Sequence, residues 1–131
     1  MTFKVHTTDD GRITPMVKLP CSAITPKVGM ALYMTGGQLA LAGGTKLATH
    51  ICMEEHDQAV SAGTLIHVIT IQPDITFETQ RLDADALVLG TAYDVAADAM
   101  SIDGTTTGAN FVIDYIGGAA AGDTLRGRFV K

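Results

Sequence analysis

The segment 50–56 contains the residue types that could do chemistry. It reads HICMEEH and brings two histidines, one thiol and two carboxylates together. Side chains alternate between the two faces of a β-strand, so His50, Cys52 and Glu54 would share one face. His67 on the following predicted strand could add a fourth donor, and these donor types suit Zn²⁺. A metal-binding protein or small β-barrel enzyme built on these four residues is therefore one hypothesis.

The same residues also fit a strand that ends in solvated polar side chains. Positions two apart on a strand are about 7 Å apart, which is far for two ligands of one ion unless the strand bends. An apparent copy of this strand, roughly 60 residues later, keeps the apolar pattern but not the three ligands. At the places of His50, Cys52 and Glu54 the copy has Asn110, Val112 and Asp114. We therefore predict a strand end, with no metal, no cofactor and no catalytic residue.

The size and charge of the chain limit the classes of function. Its 131 residues and 13.7 kDa correspond to one domain with a core of its own. The formal charge of −5, without any block of Lys and Arg, argues against binding nucleic acid or an anionic membrane. No apolar run approaches the roughly 20 residues of a membrane span, and no signal peptide is evident, so we expect synthesis in a cytoplasm. Cys21 and Cys52 are expected to be buried, reduced thiols.

Strand patterns dominate the rest of the chain, and no amphipathic helix is evident. The runs MALYM and QLALA flank TGG, which predicts a tight hairpin through Gly36 and Gly37. Pro15 and Pro20 indicate an edge strand or an arm, because proline cannot donate to a sheet ladder. Short strands separated by Gly, Asp and Thr predict an all-β fold, either a β-sandwich or a squashed β-barrel.

The chain also contains an internal repeat. Turn glycines recur at similar places in the segments 28–88 and 89–131, as in the pair Gly29 and Gly90. Such recurrence indicates one supersecondary unit built twice. We therefore predict a single β domain over residues 28–131, made of these two similar units. Residues 1–27 precede it, either as an extended N-terminal arm or as the first strands of the same domain.

Several motifs occur in an order that is similar to that of one protein family. They are GMALYMTGGQL, HICM, AGTLIHVI, PDITFET and GDTLRGRF. Over residues 28–129 this order resembles the small head-decoration (capsid cement) proteins of tailed bacteriophages and prophages. The resemblance implies a small, all-β, β-tulip-like protein, often a homotrimer, that binds the major capsid protein on the outer surface of the virion. It implies no enzymatic activity and no small-molecule substrate.

For the N-terminal segment the resemblance implies contact with the capsid. An extended segment could pair with a strand edge of another chain and become ordered on binding. The apolar residues predicted to act as capsid anchors are Phe3, Val5, Ile13, Met16, Val17 and Leu19. The alternative is that these side chains pack on the core of their own domain. For the whole protein, a head–tail or tail component of a phage is the alternative within the same structural class.

Overall fold

The computed structural model describes residues 1–11 and 14–130, and its regular structure consists of ten β-strands. In chain order they are β1 (Lys4–Thr8), β2 (Met16–Pro20), β3 (Ala31–Thr35), β4 (Gln38–Leu41), β5 (His50–Cys52), β6 (Leu65–Thr70), β7 (Ile75–Gln80), β8 (Ala92–Tyr93), β9 (Phe111–Ile116) and β10 (Thr124–Phe129). The described part of the chain has no helix, and so none that could cross a membrane. The prediction of an all-β fold is confirmed.

The strands form two antiparallel sheets of five strands each. The first-half sheet has the order β2-β6-β5-β3-β4, and the second-half sheet has the order β1-β7-β10-β9-β8. Both sheets are open, with a terminal strand on either side, so the β-sandwich is confirmed and the squashed barrel is wrong. One buried apolar cluster draws residues from both sheets, which removes their apolar faces from water.

The two sheets repeat one pairing scheme. β2, β6, β5 and β3 pair in the same order as β7, β10, β9 and β8. The registers agree as well. Lys18 pairs with His67 in the first-half sheet as Glu78 pairs with Arg126 in the second-half sheet. In the same way, Cys52–Val68 corresponds to Ile113–Gly127, and Ala31–Ile51 corresponds to Ala92–Val112. β1 and β4 are the two strands outside this scheme. Residues of β2, β3, β5 and β6 can therefore be compared with structural equivalents in the other half.

These registers correct the residue alignment that we predicted from the sequence. Cys52 of β5 is equivalent to Ile113 of β9, whereas the sequence comparison aligned it with Val112. The partner assigned to His50 was likewise one position too early, since the registers make Phe111 its equivalent, and Glu54 lies beyond the end of β5. The reason is that the connections inside the two units differ in length. The offset from β5 to β9 is longer than the offset from β6 to β10, so no single offset aligns both strand pairs.

Two local predictions are confirmed. β3 and β4 form the hairpin through TGG, with φ angles of +56° at Gly36 and +80° at Gly37. A two-residue hairpin with both central residues at positive φ favours glycine, which adopts this region without a Cβ clash. Pro20 ends β2, which is the terminal strand of the first-half sheet, where a missing N–H is tolerated.

Residues 1–27 supply one terminal strand to each sheet. β1 pairs with β7 in the second-half sheet, and β2 pairs with β6 in the first-half sheet. Phe3, just before β1, is 1 % exposed. Its ring centre is 5.1 Å from that of Phe129 and 5.7 Å from that of Phe111. The N-terminal segment therefore forms the first strands of the domain, and Phe3 is a core residue rather than an exposed anchor.

Candidate functional site: the groove between the first two strands

The four residues considered as metal ligands do not form a metal site. β5 ends at Cys52, whose buried thiol donates to the backbone carbonyl of Glu54 at 3.2 Å. Burial raises the pKa of this thiol and so favours the protonated form, which is a poor metal ligand. His50 contacts the hydroxyl oxygen of Thr49, 2.7 Å from its Nδ1. Among the described residues, no group of three or more His, Cys, Asp or Glu could hold a metal ion.

Glu54 joins two histidines instead. Its two carboxylate oxygens lie 2.5 Å from Nε2 of His56 and 2.8 Å from Nδ1 of His67. The backbone N–H of His67 also donates to the carboxylate, at 3.1 Å. The hydrogen bonds from His56 and then from His67 lower the pKa of Glu54 to about 2, because they favour its ionised form. Both oxygens are thus already engaged by the protein.

This histidine–carboxylate cluster holds the loop after β5 against β6. Lys27 adds to it by donating to the carbonyl of His56 at 2.8 Å and by pairing with Glu55 at 3.1 Å. Met53 lies within the same loop, and its backbone N–H donates to the carbonyl of His67 at 2.9 Å. The cluster therefore holds the backbone of Met53 beside β6.

The outward positions of β6 and β10 are structurally equivalent but chemically different. On β10, Arg126 pairs with Glu78 at 3.0 Å, and Arg128 pairs with Asp9 at 2.7 Å. In strand order, β10 presents Thr124, Arg126 and Arg128 at the positions where β6 presents Leu65, His67 and Ile69. The second-half sheet therefore carries a charged, solvated surface where the first-half sheet carries an exposed Leu65, the polar His67 and a buried Ile69.

Two further residues extend the apolar surface on β6. Met16 of β2 lies directly opposite Ile69. Cys52 pairs with Val68, so Met53, the next residue, lies beside His67. We refer to Met16, Met53, Leu65 and Ile69 as the apolar face, in which Ile69 is buried and the other three side chains are exposed. Met16 is 57 % exposed, Leu65 56 % and Met53 38 %, which is high for three apolar side chains on one side of a sheet.

A groove separates β1 from this apolar face. Its volume is about 540 Å³. The residues that line it are Val5, His6, Thr7, Thr8, Gly11, Thr14, Met16, Met53 and Ile69. Val5 forms the β1 wall, and Met16, Met53 and Ile69 supply the opposite side. The groove therefore runs between the first two strands of the chain, with apolar side chains on both sides and no carboxylate among these described lining residues.

The predicted capsid anchors are distributed unequally around this groove. Val5 and Met16 line it, and Val17 is exposed on the same strand as Met16. Leu19 is half-buried against the core, and Phe3 lies within the core. Ile13 lies outside the described residues. Two exposed members of the predicted set thus line the groove, whereas Val17, next to Met16 on the strand, projects to the other face.

Met53 and Leu65 are surface residues that the sequence analysis did not identify. Both occur in segments that had been interpreted as strand ends, and neither stands out by residue type. The signal that identifies them is the register of β5, β6 and β2, which places them beside Met16. That register depends on the packing of the whole sheet and is not visible in the local pattern.

Comparison of the sequence with protein-family models and with curated proteins gives no match. A scan against protein-family models finds no matching family, and a search of curated proteins finds no significantly similar sequence.

Proposed function

We propose that this chain is a non-enzymatic virion protein that decorates the outside of a tailed-phage head and cements its major capsid subunits. The observation that supports this most is the exposure of Met16, Met53 and Leu65 on the apolar face, although the equivalent face of the second-half sheet is charged. A group of exposed apolar side chains is typical of a protein-binding surface. The order of the sequence motifs suggests the class of partner.

The free energy of binding that one apolar face can supply favours binding by several copies of the protein together. Full burial of a large apolar side chain contributes about 1.5–3 kcal/mol, so covering the half-exposed Met16, Met53 and Leu65 would contribute roughly 2–4 kcal/mol. That sum is small compared with the cost of immobilising one protein on another. A homotrimer would present three identical faces to a shell and would gain avidity from them. We therefore propose a homotrimer as the binding form.

The remaining parts of the proposal follow from the same role. The partner is the major capsid protein, and the place of action is the outer surface of the virion after synthesis in the cytoplasm of a host bacterium. The net charge of −5 suits an exterior surface that does not bind packaged DNA. Neither a cofactor nor a small-molecule substrate is needed for this function.

The test is co-sedimentation with expanded, DNA-free heads of the phage or prophage that carries the gene. We expect the protein to bind the heads and to raise the temperature at which they disrupt. The variant Met16→Glu should bind at least tenfold more weakly, because it places a charge on the apolar face. Leu89→Glu is the matched control, since Leu89 is 58 % exposed and Met16 57 %, and it should bind like the wild type.

Two outcomes would contradict the proposal. One is that the wild-type protein does not bind expanded heads at any accessible concentration. The other is that it binds isolated tails or head–tail connectors in preference to heads, which would make it a different structural component of the phage.

A further inference from the structure

We propose that the groove between β1 and the apolar face binds an extended, apolar segment of a partner protein that carries a carboxylate facing Lys18. The inference deepens the proposed function, since the segment would belong to a capsid subunit. It goes beyond that function by naming the site, the conformation of the bound segment and its charge.

The shape of the groove suits an extended chain. Met16 and Lys18 are two residues apart on β2 and therefore project to the same side, about 7 Å apart. Alternate side chains of an extended peptide have the same spacing. Ile69 and His67 are paired with Met16 and Lys18 across the sheet, but Ile69 is buried and His67 bonds to Glu54, so Met16 and Lys18 are the two side chains available to a partner. An apolar side chain of the partner can thus contact Met16 while a side chain two positions away reaches Lys18.

The charges around the groove favour a carboxylate on that second side chain. Lys18 is exposed, and within the described part of the chain no carboxylate lies within ion-pair distance of it. Glu54, the nearest carboxylate on this face, is held by His56 and His67. His6, on the β1 side of the groove, lies 3.9 Å from Glu78 and therefore has a carboxylate partner. In a chain of net charge −5, Lys18 is thus the positive charge beside the groove that has no such partner among the described residues.

The apolar part of the proposal rests on side chains from both walls. Val5 is 40 % exposed on one wall, and Met16 and Met53 are exposed on the other. Methionine side chains adapt their shape to a partner, because they are unbranched and polarizable. The groove volume of about 540 Å³ falls within the range of roughly 300–1,000 Å³ that is typical of ligand-binding pockets.

The experiment is a titration of the full chain, labelled with ¹³C at the methionine methyl groups, followed by NMR. Three synthetic peptides of equal length serve as probes: alternating Val and Asp, alternating Val and Lys, and alternating Ser and Asp. We expect the Val–Asp peptide to shift the methyl signals of Met16 and Met53 and to leave that of Met100 unchanged. The other two peptides should bind at least tenfold more weakly, because each lacks one of the two required features.

Two variants test whether the charge of Lys18 contributes to peptide binding. Lys18→Gln should weaken binding of the Val–Asp peptide about fivefold, as expected for a partly exposed ion pair. Lys46→Gln is the control, since Lys46 is also exposed but lies near Tyr33, and it should leave that affinity unchanged. The proposal is overturned if the Val–Lys peptide binds as well as the Val–Asp peptide, or if Lys18→Gln has no effect while the Met16 signal still shifts.

The same variants distinguish this inference from the proposed function. If heads bind the wild type and Lys18→Gln equally well, the groove inference fails and head decoration stands. If the Val–Asp peptide binds in the groove but heads do not bind the protein, head decoration fails and the groove remains a peptide-binding site.

Discussion

The two sheets of this protein use one pairing scheme for two different surfaces. Arg128 on β10 forms an ion pair in solvent, whereas its equivalent on β6 is Ile69, beside the exposed side chain of Met16. Because the second-half sheet folds with charged residues at these positions, the scheme itself does not require apolar ones. The exposure of Met16, Met53 and Leu65 on the first-half sheet is therefore the feature from which we propose a docking surface.

The largest expected effect concerns Phe3, which is buried against the aromatic rings of the second-half sheet. Phe3→Ala should lower the free energy of unfolding by about 4 kcal/mol, because it leaves a cavity among the aromatic rings. Val5→Ala, two residues later on the groove wall, should cost less than about 1 kcal/mol. Urea denaturation of both variants measures the difference. Similar values for the two would mean that the N-terminal segment is not anchored in the core.

The next effect on the free energy of unfolding concerns an interior position that differs between the two sheets. Gly127 on β10 is equivalent to Val68 on β6, and a Cβ at Gly127 would overlap the carbonyl oxygen of Val112. Gly127→Ala should therefore lower the free energy of unfolding by about 2–3 kcal/mol. Thr124→Ala, on the same strand, should change it by less than about 0.5 kcal/mol. A Gly127→Ala variant as stable as the wild type would show that the two sheets are packed more alike than the structure indicates.

A smaller effect belongs to the histidine–carboxylate cluster of Glu54, His56 and His67 in the first half. Glu54→Gln should lower the free energy of unfolding by about 1 kcal/mol near neutral pH. The folded-state pKa of Glu54, about 2, lies below its ordinary value of 4.5. The stabilisation from the ionised carboxylate is therefore present above about pH 4.5 and is lost as the pH falls towards 2.

Denaturation of the wild type and of Glu54→Gln across this pH range checks the prediction. The difference in stability between the two proteins should shrink as the pH falls from 5 to 2. A difference that stays constant over that range would contradict the assigned role of Glu54.

The smallest effect on stability tests whether the second-half surface can be converted. Arg128→Ile removes an exposed ion pair and introduces the residue found at the equivalent first-half position. Exposed ion pairs contribute little, so the free energy of unfolding should change by less than about 1 kcal/mol. Sedimentation velocity should show more self-association than in the wild type, because an apolar side chain becomes exposed. A large loss of stability would mean that Arg128 has a structural role beyond its pair with Asp9.

Much of the fold follows from local sequence features. The hairpin at TGG was predictable because positive φ at two successive residues selects glycine, and the edge position of β2 was predictable from Pro20. The burial of Phe3 was not, because an aromatic residue near the N-terminus suits an anchor and a core equally well. The sequence alignment of the repeat was one residue out at β5, because it depended on loop lengths.

The site was less predictable than the fold. Glu54 was assigned to a strand face with His50 and Cys52, but β5 ends at Cys52 and the loop that follows turns Glu54 towards His56 and His67. Strand periodicity has no meaning beyond the end of a strand. The apolar face combines three segments distant in sequence, so it becomes visible only when their register is known.

The most direct test of the central claim compares two equivalent positions on the two sheets. Leu65→Glu and Thr124→Glu place the same charge at the start of β6 and at the start of β10. Co-sedimentation with expanded heads should show at least tenfold weaker binding for Leu65→Glu and a change of less than about twofold for Thr124→Glu. Equal losses for the two variants, or a larger loss for Thr124→Glu, would contradict the assignment of the first-half sheet as the docking surface.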